Sequence, residues 1–226
     1  MSEIGIITRQ NGGAIEDVTL EDITVKTVAA KGNYVAGLVG YYYGVGSMKN
    51  ITATDLEVNG VNYVGGIAGY IYMSNIDNVN ITKSNVKATG SYSALFAGRI
   101  SDTANAQNYK LSNISITGTP IYTDGVMTGS DTSIVGVGEV GAISGRSYEA
   151  DSYKGGSQDA GAGNLVDGVY ISGTSNYVGG AYGYHYNHAY KINVTNSLIE
   201  ALSTVSRTYV GGIVGYDVYG GGNLIS

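Results

Sequence analysis

Few residues in this chain are of types and spacings that could do chemistry. The two histidines, in "YHYNHAY", stand three apart as His185 and His188. On a strand that spacing sends the rings to opposite faces, and no third ligand accompanies them, so no metal site is expected. There is no cysteine, which removes thiolate ligands and thiol nucleophiles along with any disulfide framework. The acids Glu16, Asp17, Glu21 and Asp22 lie together, and Glu149 and Asp151 lie far from them. Glycoside cleavage needs two carboxylates facing one bond, and this distribution nominates no such pair. Neither HExxH nor the calcium-binding GGxGxDxUx nonapeptide occurs. No catalytic residue, metal or cofactor is therefore expected.

The side chains that do recur are tyrosine and arginine, and they recur in a fixed context. "NYVGGIAGY" at 62–70 has close copies at 33–41, 176–184 and 208–216. Its last glycine anchors an alignment through Gly40, Gly69, Gly98, Gly145, Gly183 and Gly215, spaced 29, 29, 47, 38 and 32 residues apart. Gly5, Ile6 and Ile7 begin a further copy in which Thr8 takes the anchor position. The residue after the anchor is then Arg9, Tyr41, Tyr70, Arg99, Arg146, Tyr184 or Tyr216. Two residues later come Tyr43, Tyr72, Tyr148 and Tyr186, with Ser101 and Val218 completing the series. Stacked in register, these would form one Tyr/Arg ladder with a tyrosine column beside it. Such a ladder either braces the stack or offers an aromatic strip to sugar rings or a protein surface, with Arg99 and Arg146 available to an acidic group.

The elements that would position this ladder are short strands. After each glycine phrase comes an alternating one, such as "DVTLEDITV" from Asp17, "NITATDLEV" from Asn50 and "NVNITKSNV" from Asn78. Apolar residues at every second position mark half-buried strands, and no amphipathic helix of three turns is present. Strands and Gly/Asn/Asp turns recurring at about 29 residues predict an all-β parallel solenoid of about seven coils in one domain, 1–226. Coils are expected to begin near 4, 34, 63, 92, 139, 177 and 209, with insertions at about 102–133 and 147–163. Stacking repeats any irregular conformation in the next coil, so a glycine is expected wherever a turn needs positive φ or two walls approach closely. Asp17, Asn50, Asn78 and Asn113 would form a side-chain amide ladder. The sequons at Asn50, Asn80, Asn113 and Asn193 follow from the same repetition.

Composition narrows the partners. The net charge of −6, with no cluster of Lys or Arg, argues against nucleic acid and anionic lipid. No apolar run is long enough to span a membrane and no basic-then-apolar leader follows Met1. Twenty-one tyrosines against one phenylalanine and no tryptophan make the aromatic supply amphipathic, suited to a surface or boundary.

The phrases "YVAGLVGYYYG", "YVGGIAGYIY" and "YVGGIVGYDVYG" resemble the GLUG repeat of bacterial surface proteins, among them the amino-terminal regions of Gram-positive IgA1-specific metalloproteases and filamentous-haemagglutinin-like adhesins. The resemblance spans nearly the whole chain outside the two insertions. It implies a parallel β-solenoid, or right-handed β-helix, at a bacterial surface or outside the cell. The expected function is a non-catalytic structural or adhesive module that presents the Tyr/Arg ladder and two loops to a host protein or glycan. Two alternatives stand beside it: a substrate-positioning region of a secreted metallopeptidase, and a self-stacking filament subunit whose open ends pair. An uncapped solenoid edge is the reason to expect either a piece of a longer surface protein or end-to-end association.

Overall fold

Parallel strand pairing runs from Ser2 to Asp217. The computed structural model describes residues 2–27, 32–101, 111–148, 163–174, 176–186, 191–203 and 207–218, and these contain strands and no helix. One coil shows the plan. It enters along a first wall at Val64–Gly65, bends at Gly66 and Ile67, and leaves along a second wall in Ala68–Thr82. It turns again and returns through Asn85–Ala88 in a third wall. The first wall holds seven strands and the third holds six. The solenoid thus makes about six turns rather than seven, because the last repeat, Tyr209–Gly211 with Val214–Asp217, supplies no third-wall strand among the described residues.

Register places like on like. Ile51, Val79 and Ile114 are successive partners, as are Ala53, Ile81, Ile116 and Val166, and all are buried. Val58, Val86, Ile134 and Ile171 do the same in the third wall. Each such valine or isoleucine is worth about 1.5–3 kcal/mol of burial, and the alternating phrase supplies one every second residue.

The corners explain the asparagines more fully than an amide ladder does. Asp17, Asn50, Asn78 and Asn113 all have φ between 54° and 57°. A second corner carries Asp22, Asp55, Lys83 and Asn196 at φ of 53°, 55°, 46° and 47°. Asn and Asp enter the left-handed region most readily among residues with a side chain, so the type is selected by the backbone first. The ladder then forms in part: Asn50 Nδ2 donates to Asp17 Oδ1 and Asn78 Nδ2 to Asn50 Oδ1, both at 2.8 Å. Asn113 departs from it and donates to Asp77 Oδ1 at 2.7 Å.

The segment expected as the first insertion divides in three. Residues 102–110 lie outside the described residues. Leu111–Thr117 is an ordinary second-wall strand in register with Ile76–Thr82. Only then does the chain leave the coil, in an antiparallel hairpin of Pro120–Thr123 with Val126–Ser130. Asp124 and Gly125, at φ 51° and 80°, close it, as hairpin turns with two positive φ values require. Most of the second expected insertion, 149–162, lies outside the described residues. Ser101 and Tyr148, which precede the two segments, are register partners on neighbouring rungs.

Candidate functional site

The glycine phrase folds as a wedge. Its tip residues Leu38, Ile67, Phe96, Ile143 and Ala181 are buried in the core, while the tyrosines at its two ends meet at the surface. The incoming and outgoing strands of the wedge must therefore pass close together. A Cβ built on Gly98 would lie 2.5 Å from Tyr63 C and 2.6 Å from Val64 N, in the preceding coil's first-wall strand. Gly69 would meet Val35 N at 2.8 Å, Gly183 would meet Val140 N at 2.5 Å and Gly215 would meet Val178 N at 2.7 Å. None of these anchors has positive φ. Of the two reasons expected for glycine, close approach of walls is the one that operates here. Thr8 faces no preceding strand among the described residues, and a side chain is admitted there.

The wedge delivers the ladder in the register read from the sequence. Arg9, Tyr41, Tyr70, Arg99, Arg146, Tyr184 and Tyr216 are successive partners in the second wall. Tyr43, Tyr72, Ser101, Tyr148 and Tyr186 form the column two residues on. A third column went unread: Glu3, Tyr34, Tyr63, Tyr92, Glu139, Tyr177 and Tyr209 in the first wall. Its signal was available, since from Tyr34 onward each member stands seven residues before its ladder counterpart, at the opposite end of the wedge.

The two end columns zip into a seam. Tyr41 and Tyr70 stack at 5.2 Å between centroids with 3° between planes, and Tyr43 and Tyr72 at 5.1 Å and 3°. Across the wedge Tyr34 stacks on Tyr41 at 5.1 Å, and Tyr177 meets Tyr216 at 4.9 Å. Tyr184 and Tyr216 continue the stack at 5.5 Å. Arginines substitute for rings in the same stack. Arg9 lies 5.3 Å from the Tyr41 centroid and Arg99 lies 5.3 Å from that of Tyr70. Arg146 is clasped between Tyr92 and Tyr184 at 4.7 and 4.6 Å. Contacts of this kind contribute roughly 0.5–1.5 kcal/mol each.

Charge in the seam is matched across the wedge in two places. Arg9 Nε donates to Glu3 Oε2 at 2.9 Å and its terminal nitrogen pairs with Glu3 Oε1. Arg146 Nε donates to Glu139 Oε2 at 2.6 Å and its terminal nitrogen pairs with Glu139 Oε1. Burial pushes the Glu139 carboxyl up, against the opposing pull of Arg146 and Arg99. For Arg146 burial is the largest influence and works downward, but the bond to Glu139, its charge and the neighbouring Tyr92 and Tyr184 together outweigh it, and the guanidinium rises. Burial, aided by Tyr70 and Tyr34, pushes the Tyr41 phenol up to about 12, and burial likewise raises Tyr34, Tyr70 and Tyr92. Below strongly alkaline pH these phenols keep their protons and can both donate and accept hydrogen bonds.

Stacking decides what the seam can offer. The ladder rings turn their faces to one another along the solenoid, so the face a sugar ring would stack on is covered within the stack. Ring edges, hydroxyls and guanidinium groups remain for a partner, and Tyr43 is 43% exposed.

One further constellation lies in the inward-facing column beside the ladder. Ser147, His185 and Asp217 are successive register partners. Ser147 and His185 are buried, His185 stacks on Tyr182 at 4.6 Å, and Ser147 Oγ makes no hydrogen bond. A relay needs its serine bonded to the base and open to substrate, and Ser147 is neither. Among the described residues no group of three His, Asp or Glu could hold a metal ion; His188 lies outside them. No described helix is long and apolar enough to cross a membrane. Comparison with protein-family models, with curated proteins and with solved structures found no match, so the seam is interpreted from its own geometry.

Proposed function

We propose that the chain is a non-catalytic structural and adhesive module of a bacterial surface or secreted protein, a rigid solenoid that presents its tyrosine seam to a host protein or glycan. The observation that carries this reading is the continuity of the seam. Seven successive rungs bring Tyr, Arg or Glu to one surface line, where a scaffold alone would require only apolar residues inside and any polar residue outside. Tyr and Arg are the residues over-represented where protein surfaces hold partners. The likeness of the glycine phrases to GLUG repeats supports the surface setting.

The test separates bracing from binding. Tyr41→Phe, Tyr70→Phe, Tyr184→Phe and Tyr216→Phe together keep the ring stack and remove the hydroxyls. Screened on arrays of extracellular-matrix proteins and glycans, the parent chain should bind and the quadruple variant should lose that binding with its far-UV spectrum unchanged. A parent chain that binds nothing displayed, or a variant that binds as well as the parent, would overturn the reading.

A further inference from the structure

Among the described residues, charge matching in the seam fails at one rung. Where the ladder carries Arg9 or Arg146, the opposite column carries Glu3 or Glu139, and each pair is closed through both the Nε and a terminal nitrogen of the arginine. Arg99 is the third arginine of the ladder, and the residue seven before it is Tyr92 instead of a glutamate. Its Nε donates to Ser101 Oγ at 3.0 Å, and no carboxylate among the described residues lies within ion-pair distance. The guanidinium is held in place by the Tyr70 ring at 5.3 Å and the Tyr92 ring at 6.0 Å. Arg146 is its neighbour on the next rung, so the two arginines share the single charge of Glu139.

We propose that Arg99 anchors a carboxylate of a bound acidic polysaccharide lying along the seam, which supplies from outside the charge that Glu3 and Glu139 supply at the matched rungs. The proposal rests on the adhesive reading of the seam and names its ligand class. A guanidinium whose Nε is already engaged keeps its terminal N–H groups for a planar acceptor, and charge-assisted bonds of that type are the stronger ones. The repeat favours a sugar polymer over an extended acidic peptide. Rungs succeed one another at about 4.8 Å, whereas same-side residues of an extended peptide recur at about 6.6 Å and fall out of step after one rung. A sugar polymer also carries hydroxyls that suit the phenol edges of Tyr70 and Tyr92 beside Arg99. Face stacking of neutral sugars has no room within the ladder, so the carboxylate supplies the distinguishing contact.

The experiment is calorimetric titration of the chain with polygalacturonate, with the same polymer after reduction of its carboxyls, and with poly-glutamate. Polygalacturonate should bind, and carboxyl reduction should weaken it by roughly tenfold to a hundredfold, the worth of one charged hydrogen-bonding contact. Arg99→Gln should cost the same factor, and Arg9→Gln, whose charge is already matched, should not. Tyr92→Glu gives Arg99 a partner of the kind the matched rungs contain, and should abolish carboxylate binding while leaving the solenoid folded. Equal binding of the acidic and reduced polymers would overturn the role of Arg99 while leaving the adhesive seam standing. Preference for poly-glutamate would replace the polysaccharide with a protein partner. No binding of any of the three, in a chain whose seam variant loses an array partner, would refute the anchor alone; with no array partner either, both readings fall.

Discussion

Replacing Gly98 by alanine asks directly whether the anchor glycine serves to let two backbones touch. Its φ is not in the left-handed region, so alanine suffers no backbone strain and the effect isolates space. The new Cβ would sit 2.5 Å from Tyr63 C, 2.6 Å from Val64 N and 2.8 Å from Gly69 O, all main-chain atoms that cannot rotate away. Carbon contacts settle at about 3.5–4.0 Å, so the outgoing strand must retreat by about 1 Å from the coil before it. A gap of that size forfeits a quarter to a half of the dispersion attraction on both sides, around a tip that holds the buried Phe96. Overpacking itself costs about 1–3 kcal/mol, and the loosened wedge brings the sum to about 3 kcal/mol. With a guanidinium dependence of about 4 kcal/mol per molar, the unfolding midpoint followed by far-UV circular dichroism should fall by about 0.7 M. The control is Gly129→Ala in the hairpin, whose nearest atom would be Ile121 Cδ1 at 3.9 Å and which should stay within about 0.5 kcal/mol of the parent. If Gly98→Ala unfolds alongside Gly129→Ala, close approach is not what selects the glycine.

Other perturbations test the corners, the matched charge and the phenols. Asn78→Ala should lose about 2 kcal/mol, from a side chain forced to φ 55° without an Asn's local compensation and from the lost bond to Asn50. Asn78→Gly should recover the backbone share, and equal losses for the two would remove the corner argument. Glu139→Gln strands Arg146 between two rings and should cost about 2 kcal/mol in thermal unfolding, largely restored when Arg146→Gln is added. Tyr41 holds its proton more tightly folded than unfolded. Its contribution to stability is therefore complete below the ordinary phenol pKa of about 10 and is lost as pH climbs toward about 12. Ultraviolet titration should show this phenol ionising late, with stability flat from neutral pH to about 9; ionisation at the ordinary value would contradict the burial of the seam.

What could be read from the sequence, and what could not, divides along how local the cause is. The register of the Tyr/Arg ladder from Arg9 to Tyr216 follows from one repeated anchor, because a solenoid converts sequence period into spatial neighbourhood with no other information. The column from Tyr34 to Tyr209 is just as periodic, but that it faces the ladder depends on the chain doubling back within the phrase, a fact of tertiary path that strand periodicity does not contain. How the strip could meet a sugar or a protein surface depends on packing in the same way. Side-chain type announces a ring, but only the stacking at 3° between planes shows that its faces are spent on its neighbours. Asn50 and Asn78 were assigned to a ladder because identical amides stack; the positive φ that selects them is invisible without a backbone. The matched pair of Glu139 and Arg146 is not legible from the ladder's own column, because the acid stands in another wall.

The wedge has a mechanical consequence. The outgoing strand of each coil rests on the incoming strand of the coil before it, as Gly98 rests on Tyr63 and Val64 and Gly183 on Val140. Hydrogen bonds cross the same interface, from Gly66 N to Ala94 O and from Phe96 N to Ala142 O. A coil therefore cannot be peeled away strand by strand, since its tip is trapped until the neighbouring wedge opens. Pulled between two points on its axis, the solenoid should resist until one wedge fails and then lengthen by a whole coil, in force steps of about 29 residues where the repeat is uninterrupted. Smooth extension without steps would show that neighbouring coils are merely stacked. A fold with no covalent cross-link would in this way behave as an interlocked chain, carrying tension in units the size of its own repeat.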